Sequence, residues 1–153
     1  MVEEIETAFP RLRGTAYRVT SPPDPDYNCI AWAAGVTTNW WWPLDDHPKG
    51  YWPPGAPLLE TLEAFAAVFA ALGYVASDHA AVEPGVEKVA LFTDAEGGPT
   101  HAARQLPNGR WTSKLGRRQD IEHALRDLEG DAYGAVALIM KRPLTTPKEA
   151  KAE

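Results

Sequence analysis

One cysteine, Cys29, stands in a chain of 153 residues, and that scarcity excludes a good deal. An intrachain disulfide framework needs two thiols, and a cysteine-rich zinc site needs more. No His-x-x-x-His pair or His–carboxylate cluster occurs, so the sequence offers no metal site and implies no cofactor. The longest apolar stretch, Ala64 to Ala71, is far too short to cross a bilayer. A basic excess is missing too: the formal net charge is −6, which argues against a general nucleic-acid binder. Nor does a glycine-rich phosphate loop precede a helix. The first residues, Met1-Val2-Glu3-Glu4-Ile5-Glu6, are acidic and lack the basic-then-apolar pattern of an export signal. A cytoplasmic protein with a free thiol is the expectation.

What is present is ordinary in bulk and unusual in placement. Hydrophobic residues make up 44% and charged residues 24%, enough for one core, expected over 1–143 with a frayed tail over 144–153. Val2 to Phe9 reads as a short helix stopped by Pro10. Ser21-Pro22-Pro23-Asp24-Pro25-Asp26 is too rich in proline for regular structure. Asn28 or Asp26 then caps a short helix that runs to Ala34 and stops at Gly35. The long connection from Thr37 to Pro57 carries Trp40, Trp41, Trp42, Tyr51 and Trp52. Pro57 to Leu72 has the helical spacing Leu58, Leu62, Phe65, Phe69, Leu72. Glu87 to Phe92 reads as a buried strand. His101 to Leu106 and Arg110 to Leu115 flank the hairpin signal Pro107-Asn108-Gly109. Gln119 to Leu128 reads as an amphipathic helix and Tyr133 to Met140 as a closing strand. The order is α+β, with helices gathered on one side of a small antiparallel sheet.

Cys29 lies where the proline-rich loop turns into the short helix, a position that stabilises a thiolate. His101 opens a strand much further along. A thiol at a helix start and an imidazole on a distant strand are the parts of a cysteine hydrolase. The bland alternative is that Cys29, flanked by Ile30 and Ala31, is a small core residue.

The stretch Glu83-Pro84-Gly85-Val86-Glu87-Lys88-Val89-Ala90-Leu91-Phe92, followed by His101-Ala102-Ala103-Arg104-Gln105-Leu106-Pro107-Asn108-Gly109-Arg110-Trp111-Thr112-Ser113, resembles the NlpC-type and CHAP-type papain-like peptidases. In those families a Pro-Gly turn leads into an apolar strand. The next strand begins with the catalytic histidine, and a further strand carries a third polar residue. Trp32, three residues after Cys29, is similar to the cysteine-threonine-tryptophan run of CHAP domains, displaced by one. Asn28-Cys29-Ile30-Ala31 departs from the NlpC-type aspartate-cysteine-serine-glycine. The resemblance implies a papain-like fold with N-terminal helices on the sheet, Cys29 as nucleophile and His101 as base. Offset matching puts Ser113 in the third position. A two-residue Asn108-Gly109 turn would instead turn Ser113 away from His101 and leave Lys114 or Thr112 on its face, unless a bulge restores the parity.

Around this pair, oxyanion stabilisation would come from the Cys29 N–H, with the Asn28 or Tyr27 side chain as a second donor. Five of the six tryptophans fall between Trp32 and Trp52. They form either an aromatic mini-core or a cleft rim, with Trp41 and Trp52 as the candidate wall. Arg104, Arg110, Lys114, Arg117 and Arg118 occur between His101 and Arg118 with no carboxylate among them. This is a protected hairpin edge, or else the means of holding an anionic peptide through Lys114 and its neighbours. His47, His79 and His123 are expected to be structural or solvated. The expected activity is hydrolysis of a peptide, isopeptide or other amide. The rival reading is a silent papain-like fold that binds through the tryptophan loop and the basic hairpin.

Overall fold

The computed structural model describes residues 2–43 and 46–144, so the expected tail lies outside the described residues except for Leu144. Helix α1 is Val2–Ala8, α2 is Cys29–Ala33 and α3 is Leu62–Ala71; one-turn 3₁₀ helices occupy Pro10–Leu12 and Leu125–Leu128. The strands are β1 (Arg18–Ser21), β2 (Trp40–Trp41), β3 (Gly50–Tyr51), β4 (Val75–Ser77), β5 (Val86–Thr93), β6 (Pro99–Gln105), β7 (Trp111–Lys114), β8 (Asp120–His123) and β9 (Ala135–Pro143).

Seven of them form one sheet in the order β1-β8-β7-β6-β5-β9-β4, every pair antiparallel. β2 and β3 form a small parallel ribbon inside the tryptophan segment. The α+β class with a mainly antiparallel sheet is therefore as the sequence reads. Among the described residues no helix is long and apolar enough to cross a membrane.

Side-chain alternation along the central strands divides the core in two. On one face Val89, Leu91 and Ala102 meet Cys29, Ile30 and Ala31 of α2 and Ala64, Phe65, Val68 and Phe69 of α3. On the other, Ala90, Phe92, Ala103, Trp111 and Ile121 meet Ile5, Phe9, Leu12, Leu125 and Leu128. The expectation that helices gather on one side is thus corrected: α1 and both 3₁₀ turns cover the second face. A sheet whose strands are apolar on both faces needs a cover on each.

Two expected elements change. Helix α3 starts at Leu62 rather than Pro57, because the Thr61 side chain caps it by accepting from the Ala64 N–H at 3.1 Å. Leu58 and Leu59 stay exposed before it. The helix expected over Gln119 to Leu128 is instead strand β8 followed by a 3₁₀ turn. Ile121, Leu125 and Leu128 still reach the core, but by a strand and a tight turn, so the spacing that imitates a helix has another cause.

Candidate functional site

Helix α2 is one and a half turns long and depends on its cap. Asn28 Oδ1 accepts from the Ala31 N–H at 3.2 Å and from the Trp41 N–H at 3.0 Å, while Nδ2 donates to the Trp41 carbonyl at 2.8 Å. Asn28 therefore fastens β2 to the start of α2. Oδ1 accepts twice and one Nδ2 hydrogen is spent on Trp41, so these bonds serve the cap and the β2 anchor rather than the expected contact with substrate or an oxyanion. Tyr27 is committed as well, donating to Asp120 Oδ2 at 2.9 Å.

Cys29, at the first helical position, is buried. Burial pushes its thiol up to about 11, against the pull of the Ala102, Ile30 and Cys29 N–H groups and the more distant Lys114 charge, all of which favour the thiolate. The depressed thiol pKa expected from a helix start is thus overridden by desolvation.

The Ala102 N–H reaches the sulfur because the sheet opens at this point. Leu106 N–H donates to the Arg110 carbonyl at 2.7 Å, which makes those two a hydrogen-bonded pair. Alternation gives Arg104–Thr112 and then Ala102–Lys114 as the next such pairs. The register stops at Arg104–Thr112, so β6 and β7 fork before Ala102. Cys29 sits at that fork.

His101 projects to the opposite face from Ala102. Its ring stacks on Tyr133 (centroids 4.0 Å apart, planes 10° apart) and packs T-shaped with Phe92, centroids 5.1 Å apart. His101 Nε2 lies 2.9 Å from Ser113 Oγ, and Ser113 Oγ lies 2.8 Å from His123 Nε2. His123 Nδ1 in turn lies 2.7 Å from the Ala124 carbonyl oxygen. All three side chains are buried. Burial, with the neighbouring His123, holds His101 well below the usual imidazole range, and burial brings His123 down to about 4. His101 Nδ1 is buried with no hydrogen-bond partner among the described residues.

The hairpin parity explains how Ser113 arrives there. The Gly109 N–H donates to the Leu106 carbonyl, and Gly109 has φ +88°, so the turn holds Pro107, Asn108 and Gly109 rather than two residues. Ser113 then shares the His101 face. Thr112 and Lys114 take the α2 face, which corrects the two-residue-turn expectation. Thr112 Oγ1 accepts from Trp32 Nε1 at 3.0 Å. Lys114 Nζ donates to the carbonyls of Asp24, Gly116 and Arg118 at 2.6–2.7 Å and lies 4.8 Å above the Tyr27 ring. Fully buried and saturated with acceptors, Lys114 cannot meet a substrate in this arrangement.

His123 is the participant that the sequence reading assigned elsewhere. The cue was the short polar–apolar alternation Asp120-Ile121-Glu122-His123, hidden under the helical spacing of Ile121, Leu125 and Leu128.

The structure brings Cys29 and the tryptophan segment together, and His101 and Ser113 together. It records no hydrogen bond between the Cys29 sulfur and the His101 ring, which approach the β6–β7 fork from opposite faces. Trp41 is buried in the Cys29 core, and Trp42 and Trp52 pack on Phe65 at 4.9 and 5.0 Å. Trp52 Nε1 donates to the Pro57 carbonyl. Arg104 lies 5.3 Å above Trp32 and has no ion pair among the described residues; burial lowers its pKa. Arg110, by contrast, pairs with Glu122 at 3.0 Å, and Arg117 covers Trp40. The cationic run is therefore dispersed among separate partners. No group of His, Cys, Asp and Glu suited to holding a metal occurs among the described residues.

No curated protein and no solved structure matches the chain. Residues 18–141, from β1 into β9, match a domain of unknown function (DUF7689), and the chain belongs to that family.

Proposed function

We propose that the protein is a papain-like cysteine hydrolase acting on a peptide, isopeptide or other amide. Cys29 is the nucleophile, and His101 is the base and later the acid. The observation that carries this reading is the fork between β6 and β7. There the Cys29 sulfur meets the peptide N–H that follows His101, and no closed ladder separates it from the imidazole. His101 has one nitrogen engaged by Ser113 and the other without a partner, as a general base requires.

The reaction requires the Cys29 thiol and the His101 ring to meet through the open β6–β7 fork; the sulfur then attacks the carbonyl carbon as its proton passes to His101 Nδ1. The C–N bond then breaks, and the leaving amine takes that proton. Water attacks the thioester, again giving a proton to Nδ1, which returns it to the sulfur as the acid leaves. The resting pair is a neutral thiol and a neutral imidazole, so proton transfer accompanies attack instead of preceding it. The Cys29 and Ala102 N–H groups are the candidates for holding the oxyanion. Arg104, with no ion pair among the described residues and 5.3 Å above Trp32, supports a substrate bearing a carboxylate.

The test is acyl-enzyme trapping with an activated ester followed by acid quench and intact-mass measurement. The expected result is one acyl group on Cys29, with acylation slowed about 100-fold or more in His101→Ala. Acylation of the folded protein that is indifferent to Cys29→Ala would overturn the reading.

One observation favours the rival, a catalytically silent binding fold: Cys29 and His101 are 6% and 1% exposed. That reading predicts no acylation of the native protein, together with retained binding of an acidic peptide by Cys29→Ser.

A further inference from the structure

The buried chain His101–Ser113–His123 ends on a group whose role admits no choice. The Ala124 carbonyl can only accept, so the proton in its 2.7 Å contact belongs to His123 Nδ1. A neutral His123 then presents a lone pair at Nε2. Ser113, 2.8 Å away, must donate its hydroxyl proton there. With that proton spent, Ser113 Oγ can only accept across the 2.9 Å contact with His101, so His101 Nε2 must carry hydrogen. The reverse polarity would need protons on both nitrogens of His123. That cation would be buried at 0% exposure with Arg110 opposing it, and Glu122, which favours it, is already held by Arg18 and Arg110.

We propose that the Ala124 carbonyl, acting through His123 and Ser113, fixes His101 in the tautomer protonated at Nε2, leaving Nδ1 as the standing proton acceptor of the site. Ser113 and His123 are positioning residues. Turning the ring over would exchange Nε2 for a carbon at Ser113 and lose that hydrogen bond, and it is opposed by the Tyr133 stack and the T-shaped contact with Phe92. A serine alone orients an imidazole poorly, since its hydroxyl can donate or accept. The second histidine removes that freedom. For catalysis the inference rests on the hydrolase reading; as a statement about the tautomer it does not.

The experiment is nitrogen-15 NMR of the histidine-labelled full chain above pH 7, with His101 assigned by His101→Gln. The expected spectrum has His101 protonated at Nε2 and bare at Nδ1. In His123→Phe, Ser113 is released to donate, and an Nδ1-protonated population of His101 should emerge, with Cys29 acylation down about 100-fold. His123→Gln, able to accept from Ser113 and donate to Ala124, should restore both. A wild-type His101 protonated at Nδ1 overturns the proposal, as does a tautomer unmoved by His123→Phe. The wild-type spectrum decides even where His123→Phe does not fold. Should the tautomer be as stated and Cys29 stay inert, the relay stands and the hydrolase reading falls.

Discussion

Two buried neutral histidines make the protein sensitive to acid at the level of single groups. His123 titrates near 6.5 when unfolded and near 4 when folded. Below pH 6.5 the unfolded chain therefore binds the extra proton, and stability falls as pH drops from about 6.5 to about 4. Above 6.5 this contribution is present in full. The gap corresponds to roughly 3 kcal/mol, and His101 acts in the same direction. Urea midpoints should be level from pH 7 to 8 and decline clearly by pH 5. His123→Gln should flatten part of that decline. Cys29 gives the opposite limb: its raised thiol pKa means stability is lost as pH climbs from about 9 toward about 11. Iodoacetamide should label the native thiol slowly at pH 7 and faster toward pH 10.

At the level of elements, Asn28 and Gly134 hold the two halves of the site. Asn28→Ala removes the α2 cap and leaves the Trp41 N–H and carbonyl without partners in a buried place, a loss of about 2–4 kcal/mol. Thermal or urea unfolding of the variant measures it. Gly134 has φ +75°, and a Cβ there would lie 1.9 Å from the Thr93 carbonyl oxygen. Gly134→Ala should therefore displace the turn that carries Tyr133 and unstack it from His101, visible as altered His101 ring resonances. The same elements show what could be read from sequence. Helix α3 is legible from the spacing of Leu62, Phe65 and Phe69, β5 from its apolar run Val89 to Phe92, and β6 from the hairpin signal that follows it. Strands β1 and β4 are three or four residues long at the sheet edges, β1 running into prolines, and give no period to detect. β8 was obscured because Ile121, Leu125 and Leu128 satisfy a helical spacing while occupying a strand and a turn. Ser113 turned on one extra turn residue, which only the backbone at Gly109 decides.

For the whole molecule, the notable division is between the matched span and what lies before it. The family match begins at Arg18, yet Ile5, Phe9 and Leu12 are buried against the Ala90, Phe92 and Ala103 face. Removing residues 1–17 would uncover the apolar face that also holds His101, Ser113 and His123. The truncated chain should bind a hydrophobic dye and unfold at lower urea than the full chain. If its stability is unchanged, that face has another cover.

The fork at Ala102 has a practical consequence for any study of this protein. Its amide proton has a sulfur atom for an acceptor where a neighbouring strand would ordinarily supply an oxygen. Replacing Cys29 by alanine is the usual way to make an inert control, but here it would also strip that amide of its acceptor in a dry interior, costing about 1–3 kcal/mol. Serine keeps an acceptor in place. The two controls should accordingly melt at different temperatures, serine the higher, and amide hydrogen exchange at Ala102 should be fastest in the alanine variant. Binding or turnover measured with Cys29→Ala alone would mix the loss of a thiol with the loosening of a strand.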